Sequence, residues 1–207
     1  RMLKNLKAKE NDAQIPYIEF CDLKVVDEQR RILSNSYMKY TGRNRKDFSP
    51  IYLLHRNYAP GCATLINRKL RDIMQQTDDY SKTIMHDWWG MLIASVFGKI
   101  CYIDEPLVEY RQHEKNVLGA QKYMSLNKFK ALCKKRKTTR NNIIQALELA
   151  EQLKLIEYRV GEHTSGCDII DEYISNIHHG KIVRAAYFYK IREHFTPMAA
   201  ISNILFG

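Results

Sequence analysis

Paired cysteine motifs are missing from this sequence. Its five cysteines are scattered and odd in number, at positions 21, 62, 101, 133 and 167. The absence of a C-x-x-C pair argues against a disulfide framework and against a cysteine-based zinc site. This use of cysteine favours a reducing, cytoplasmic compartment.

Long apolar runs and repeats are missing as well. The longest apolar stretch, residues 88–97, is too short to cross a bilayer, and the opening residues 1–7 carry no signal-peptide core. We therefore expect no segment of the chain to span a membrane. The sequence contains no internal repeat and no low-complexity tract. Its 45% hydrophobic and 27% charged content is that of a globular domain with an appendage.

Positive charge is present in excess. The chain of 207 residues has 33 Lys and Arg against 23 Asp and Glu, for a net charge of +10. Residues 1–120 carry 19 basic against 15 acidic residues and residues 121–207 carry 14 against 8, so the excess is +4 and then +6. This balance favours an anionic partner, and composition leaves nucleic acid, a phospholipid surface and a diphosphate substrate all open.

The first 120 residues alternate between strand and helix patterns. The predicted strands cover residues 17–26, 63–66, 100–103 and 107–110, with a turn at 104–106 between the last two. Asn67 is placed to cap a helix over 68–75, and a second helix is predicted to begin near His86 and to stop at Gly98. This alternation predicts an α/β fold.

After residue 121 the pattern changes to helices alone. Four are predicted, over residues 126–137, 139–155, 167–178 and 180–195. The chain therefore divides into an α/β part, residues 1–120, and a helical C-terminal extension, residues 121–207.

Five short motifs follow one another in a fixed order between residues 17 and 120. They are CDLKVVD at 21–27, GCATLINR at 61–68, HDWW at 86–89, IDEPLVEYRQH at 103–113 and NVLG at 116–119. The ordered set resembles bacterial family 2 glycosyltransferases of the rhamnosyltransferase-like group. The resemblance covers about half of the chain, and the helical part after it resembles the extensions that such enzymes carry.

The resemblance implies a fold and an activity. The fold would be the second half of a GT-A-like mixed sheet with flanking helices, followed by the α-helical extension. The activity would be inverting transfer of a hexosyl or deoxyhexosyl group from a nucleotide sugar to a saccharide or lipid-linked saccharide acceptor in cell-surface polysaccharide synthesis. A divalent cation, Mg²⁺ or Mn²⁺, is implied for the complete enzyme. The family's donor half carries an Asp-x-Asp motif that this sequence lacks, so we expect an incomplete fragment that is inactive alone.

The resemblance places the catalytic base at Asp87. An inverting transfer needs one carboxylate to take the proton of the acceptor hydroxyl as its oxygen attacks the anomeric carbon. Asp87 also stands at a predicted helix start, where a carboxylate can cap the helix or interact with its macrodipole. The two interpretations are compatible, because a carboxylate at a helix start can still face a cleft.

The expected acceptor side comprises Gly61, Cys62, His86, Trp88 and Trp89. Gly61 follows a proline, so it permits either an unusual backbone angle or a close approach of substrate to the main chain, unless it marks a simple bulge. Cys62 is interpreted as a small buried hydrophobic residue and not as a nucleophile. One of the two tryptophans is expected in the core and the other against the acceptor sugar.

The end of the last predicted strand is the expected donor-diphosphate side. Arg111, Gln112, His113 and Asn116 would contact the leaving diphosphate, and His113 is also the expected metal ligand. Arginine offers a forked donor to phosphate, and histidine can bind a cation or donate a hydrogen bond. The alternative is a strand end whose charges are simply solvated.

Three further features leave alternatives open. Asp22 and Asp27 flank a strand and are either turn and edge acids or acceptor contacts. The basic run 134–137 lacks interleaved aromatic residues, so binding to nucleic acid is disfavoured. Residues 181–195 combine an apolar stripe with four Lys or Arg, which fits either packing against the domain or peripheral contact with the inner face of an anionic membrane.

The alternative function is therefore a non-catalytic basic module that binds nucleic acid or an anionic membrane surface. His163 and the pair His178 and His179 have no completing ligand set in the sequence, so no zinc site is predicted. We also expect self-association into a homo-oligomer, because a chain without its donor half would expose an apolar face.

Overall fold

The structure of the chain, a computed structural model, describes residues 14–43, 47–83, 85–112 and 131–206, together with residues 2 and 4. These residues form an open, mixed sheet of four strands with flanking helices. The predicted α/β class is therefore confirmed, while the GT-A-like arrangement stays a prediction.

The strand β1 (Tyr17–Val26) is the centre of the sheet. On one side it pairs in antiparallel fashion with β3 (Thr64–Ile66) near its start and with β2 (Ile32–Ser34) near its end. On the other side β4 (Lys99–Arg111) runs parallel to it along its whole length. Because it has neighbours on both edges, β1 is buried along nearly its whole length.

The course of β4 corrects the sequence prediction. The sequence predicts two strands with a turn at 104–106, but the structure has one continuous strand. It has 13 residues against 10 in β1, and the three extra residues are absorbed where the register shifts on either side of Asp22. Pro106 is tolerated because β4 is an edge strand, since within the described ranges no strand pairs with its outer side.

The helices lie between and after these strands. Those with described bounds are α1 (Tyr37–Tyr40), α2 (Pro50–His55), α3 (Arg68–Met74), α4 (His86–Phe97), α5 (Ala131–Val160), α6 (Ser165–His178), α7 (Lys181–Lys190) and α8 (Pro197–Phe206). Short 3₁₀ segments occupy Gly61–Ala63, Tyr80–Lys82 and Arg192–His194.

The helical extension differs from its predicted pattern in two places. Two helices are predicted over 126–137 and 139–155, whereas α5 runs unbroken from Ala131 to Val160, and residues 126–130 lie outside the described ones. No glycine or proline interrupts this run, and threonine lowers helix propensity only modestly. The last predicted helix, 180–195, ends earlier as α7, and α8 is an additional helix.

Asn67 caps α3 as predicted. Its side-chain oxygen accepts hydrogen bonds from the N–H of Leu70 at 2.9 Å and from the N–H of Tyr17 at 3.0 Å. Its amide group donates to the Ile15 carbonyl at 2.8 Å. One side chain therefore starts the helix and holds the beginning of β1 beside it. The predicted stop of α4 is also confirmed, with Gly98 as its C-terminal cap.

Buried side chains of the sheet and of the helical extension form one continuous hydrophobic core. Polar contacts also join these parts, and two of them are the following. The Thr164 hydroxyl donates to the Val96 carbonyl at 2.7 Å, and His194 Nδ1 lies 3.0 Å from Asp47 Oδ2. The extension is therefore packed directly on the α/β part.

None of the helices in the described ranges combines the length and the apolar character needed to cross a bilayer. The longest, α5, has 30 residues but carries charged side chains from end to end.

A half-buried histidine, whose ring nitrogen Nε2 is fully buried, lies where α2 meets the extension. The imidazole of His55 is surrounded by the rings of Tyr173, Phe188 and Phe195, with centroid distances of 5.6, 6.3 and 5.0 Å. Its Nε2 has no hydrogen-bond partner among the described residues, and burial lowers the pKa of His55 to about 4. The ring is therefore held in its neutral form at physiological pH.

This histidine should make the fold sensitive to acid. The unfolded chain, in which a histidine has a pKa near 6.5, binds the proton more readily than the folded chain. The free energy of unfolding is therefore not reduced by His55 above about pH 6.5. As the pH falls from about 6.5 to 4, protonation of the unfolded chain lowers the free energy of unfolding by about 3 kcal/mol. Urea unfolding of the wild type and of His55→Phe at several pH values measures this, and the variant should show the flatter dependence. Identical pH profiles for the two chains would show that His55 is not the cause.

Candidate functional site

Asp87 is buried at the start of α4, with 3% of its surface exposed. Its Oδ1 accepts a hydrogen bond from the N–H of Trp88 at 2.8 Å and another from the side-chain amide of Asn57 at 3.3 Å. Met85 is the N-cap of α4, so Asp87 does not cap the helix; it lies in the first helical turn, where the helix dipole favours a negative charge. The carboxylate is thus fixed by its helix and by a second segment of the chain.

Gly61 brings its main chain against this carboxylate. A Cβ atom added at Gly61 would lie 3.2 Å from Asp87 Oδ2 and 3.0 Å from His86 Nε2. The positive-φ glycines of the described chain are Gly42 and Gly161, so an unusual backbone angle does not explain Gly61. The observed close approach is to the side chains of His86 and Asp87, and the expected approach of a substrate to Gly61 stays a prediction.

The sequence interpretation of Cys62 as a buried residue is wrong. The residue lies in the 3₁₀ segment Gly61–Ala63, which precedes β3 and is not part of the sheet, and its side chain is exposed. Partial desolvation of the thiol raises the pKa of Cys62, and the nearby Asp87 carboxylate adds to the rise. A thiol of this kind stays protonated at neutral pH, which agrees with the interpretation that Cys62 is not a nucleophile.

The two tryptophans of the HDWW motif have different environments. Trp89 is 1% exposed, and its indole N–H donates to Thr77 Oγ1 at 2.8 Å. Trp88 is half-buried, and its indole N–H donates to the Leu53 carbonyl at 2.5 Å. Trp89 is therefore the core member of the pair, as expected of one of them, and Trp88 is the one that remains a candidate for contact with an acceptor.

Sequence reasoning missed Asn57. Its amide donates to Asp87, while its own Oδ1 is buried without a hydrogen-bond partner among the described residues. No motif marks this position, because Asn57 lies in the irregular segment between α2 and Gly61 and reaches Asp87 only in the folded chain. We call the set Asn57, Gly61, Cys62, His86 and Asp87 the Asp87 group.

The two acids beside the first strand have structural partners. Asp22 lies within β1, and accepts hydrogen bonds from the N–H of Leu23 at 2.8 Å, the N–H of Met38 at 3.2 Å and the Ser36 hydroxyl at 2.5 Å. It is therefore a buried acid that anchors α1, and its predicted position at the strand end is wrong. Asp27 accepts from two main-chain N–H groups of the turn that follows β1, which confirms its interpretation as a turn acid.

The expected donor-diphosphate residues are only partly described. Arg111 ends β4 opposite Val26, and the N–H of Gln112 donates to the Val26 carbonyl at 2.8 Å. His113 and Asn116 lie outside the described residues. Since Val26 lies five residues beyond Cys21 in β1, Arg111 is roughly 16 Å further along the sheet than Cys21. Phe20 pairs with Thr64, which directly follows the segment Gly61–Ala63, so Cys21 lies at the end of β3 that adjoins the Asp87 group. The structure therefore does not bring Arg111 together with Asp87.

Comparison of the chain with protein-family models, with curated proteins and with solved structures finds no match. The features of the Asp87 group that bear on its chemistry are its geometry and its place in the two motifs.

Proposed function

We propose that this chain supplies the acceptor side of an inverting glycosyltransferase and that Asp87 is its catalytic base. The donor would be a nucleotide sugar and the acceptor a saccharide, free or carried on a lipid. The proposal assigns the nucleotide-binding half of the site to chain that is not in this sequence, because residues 1–207 contain no Asp-x-Asp triplet.

The observation that carries the proposal is the convergence of two separated motifs on one buried carboxylate. GCATLINR contributes Gly61 and HDWW contributes His86 and Asp87, and a Cβ atom added at Gly61 would lie 3.0 Å from His86 Nε2 and 3.2 Å from Asp87 Oδ2. Oδ1 of Asp87 is engaged by two N–H donors, whereas Oδ2 is the oxygen nearest to this position. An acid that served only to accept N–H groups in a first helical turn would not need a glycine beside its second oxygen.

The proposed reaction uses Asp87 once. Its Oδ2 takes the proton from the acceptor hydroxyl as the acceptor oxygen bonds to the anomeric carbon from the face opposite the diphosphate. The bond between the anomeric carbon and the diphosphate oxygen breaks, and the nucleoside diphosphate leaves with the electron pair. The configuration inverts, and Asp87 releases its proton to solvent.

The implied Mg²⁺ or Mn²⁺ finds no ligand set at the described end of β4. Arg111 is a cation and would repel the metal, and Gln112 offers one neutral oxygen, while His113 lies outside the described residues. We therefore assign no step to a metal, and none to Arg111, which pairs with Val26 and lies roughly 16 Å further along the sheet than Cys21.

An assay of nucleoside diphosphate release tests the proposed reaction. Enzyme that includes the donor half is mixed with a panel of nucleotide sugars, with and without glycan acceptors. Release should depend on the acceptor and be lost when Asp87 is substituted. Release that is independent of acceptor across the panel, or that survives substitution of Asp87, would contradict the proposal.

A second function is supported by the surface of α7. Ile182 is 87% exposed and Val183 and Tyr189 are also exposed, although Tyr187 and Phe188 of the same helix are buried. Lys181, Lys190 and Arg192 are exposed around them. Apolar side chains among cations suit an anionic membrane surface, so we propose peripheral membrane contact through residues 181–195.

Vesicle sedimentation tests this contact. The chain should bind vesicles that contain phosphatidylserine, and Ile182→Asn should weaken binding about 10- to 150-fold, because burying an isoleucine contributes roughly 1.5–3 kcal/mol. Tyr158→Asn is the matched control, since Tyr158 is 88% exposed on α5 and outside the proposed surface. Equal binding to neutral vesicles, or equal losses for the two variants, would argue against the contact.

A further inference from the structure

We propose that Glu157, His163 and Cys167 form a binding site for a divalent transition metal such as Zn²⁺. Their ligand atoms, a carboxylate oxygen, an imidazole nitrogen and a thiol sulfur, all lie within 4.8 Å of one another. The site belongs to the helical extension and is independent of the proposed glycosyltransferase reaction.

The turn between α5 and α6 creates the cluster. Glu157 lies in the last turn of α5, Cys167 in the first turn of α6, and His163 in the loop between them. Gly161 ends α5 with a φ of 70°, a left-handed conformation that favours glycine and folds the chain back. The three ligands are therefore brought together by a local, rigid corner.

The donor set suits a borderline metal. Imidazole and thiolate select Zn²⁺ and similar transition metals over Mg²⁺ or Ca²⁺, and a carboxylate oxygen is a further accepted Zn²⁺ ligand. The fourth tetrahedral position would be taken by water. In the structure, His163 Nδ1 lies 2.6 Å from Glu157 Oε1. Two ligands of one tetrahedral Zn²⁺ lie about 3.3 Å apart, so a small outward movement would admit the ion.

A fourth residue orients the histidine. Asp168 Oδ1 lies 3.0 Å from Nε2 of His163, on the side of the ring opposite Glu157. A carboxylate on the distal nitrogen of a metal-bound histidine is the usual supporting arrangement, because it fixes the tautomer and the ring plane. Asp168 thus leaves Nδ1 directed at Glu157 and at the proposed metal position.

The other charges near the site are compatible with a bound cation. Lys154 Nζ lies 2.5 Å from Glu157 Oε2 and 2.7 Å from Asp171 Oδ1, so it engages the oxygen of Glu157 that the metal does not need. The Thr164 hydroxyl lies 3.4 Å from Cys167 Sγ. When its ring is protonated, His163 is an ion-pair partner of Glu157 and Asp168. Binding would displace the proton shared by His163 and Glu157 and the proton of the thiol.

Cobalt titration tests the site in the full, reduced chain. Co²⁺ should bind with one equivalent and give the near-ultraviolet thiolate charge-transfer band and the visible bands of a tetrahedral site, and Zn²⁺ should displace it. Cys167→Ser should abolish the charge-transfer band. His163→Gln should weaken binding at least tenfold, and Asp168→Asn should weaken it about 10- to 100-fold.

Matched variants make the result specific. His178 pairs with Glu151 and has 58% side-chain exposure against 57% for His163, so His178→Gln controls for loss of an exposed histidine. Cys101→Ser controls for loss of a thiol. Both should leave the cobalt spectrum unchanged. Absence of the charge-transfer band, its persistence in Cys167→Ser, or unchanged affinity in His163→Gln and Asp168→Asn would overturn the proposal and leave an ion-pair cluster only.

Discussion

Replacing Asp87 with asparagine is expected to lower kcat at least about a hundredfold while leaving affinity for the nucleotide sugar nearly unchanged. A general base typically contributes 10²–10⁴ to the rate, and asparagine cannot take the acceptor proton at neutral pH. The sugar nucleotide binds on the other side of the reacting carbon, so its binding does not depend on this proton transfer. Steady-state kinetics with both substrates, in enzyme that includes the donor half, measures the two effects separately.

The geometry makes asparagine a mild change for the fold. Both hydrogen bonds seen at Asp87 are accepted by Oδ1, from the N–H of Trp88 and from the amide of Asn57. Asparagine has an oxygen in the same place and can accept both. Only the second oxygen, beside Gly61, is replaced by an NH₂ group. A loss of activity would therefore report on proton transfer and not on unfolding.

Asp79 provides a control for the acceptance of a main-chain N–H at a helix start. It precedes the 3₁₀ segment Tyr80–Lys82 and accepts a hydrogen bond from the N–H of Ser81 at 2.9 Å. Asp79→Asn makes the same chemical change at this second acid and should leave kcat unaltered. If Asp87→Asn turned over at a near-normal rate with unchanged stability, Asp87 would have only its structural role in the first turn of α4 and the base would lie elsewhere.

Helix ends were the features best predicted from local sequence signals. Asn67 marks a helix start because a side-chain cap acts within a few positions of itself. Gly98 was predicted as a helix end on the same local ground, although its φ of −153° is not left-handed and its lack of a Cβ atom is needed for the contact with Pro16. The motif order suggested a shared site for Gly61 and Asp87, but their contact is known only from the folded chain.

Other features depend on tertiary neighbours that the sequence does not reveal. Pro106 favours a turn by itself, but it lies in one continuous strand because β4 is at an edge and its extra residues are absorbed in irregular pairing. Asn57 and His55 carry no motif, and their roles arise only from the packing of α2 against α4 and the extension. The cluster at Glu157 was missed because a count of cysteines and histidines ignores a carboxylate from the preceding helix.

Substituting Gly98 with alanine is expected to destabilise the fold by about 3 kcal/mol or more. A Cβ atom at this position would lie 1.9 Å from the Pro16 carbonyl oxygen and 2.7 Å from its carbon. The same oxygen accepts the N–H of Lys99 at 2.8 Å, at the start of the pairing between β1 and β4. The backbone would have to move apart and weaken this bond, which adds to the usual cost of overpacking.

Urea unfolding of Gly98→Ala and of a second glycine variant tests this expectation. Gly180 precedes α7 with a φ of −62°, and an added Cβ there would meet nothing within 4 Å. Gly180→Ala should therefore change the free energy of unfolding by no more than about 0.5–1 kcal/mol, since only the N-cap preference is altered. The urea concentration at the unfolding midpoint should fall steeply for Gly98→Ala alone. The dependence of the free energy of unfolding on urea, the slope m, should be retained if the native sheet survives.

Equal, small shifts of the unfolding midpoint in both variants would mean that β1 and the end of α4 can move apart at little cost. The close contact at Pro16 would then not be what holds α4 at the start of β4, and the position of Asp87 at the other end of that helix would need another support.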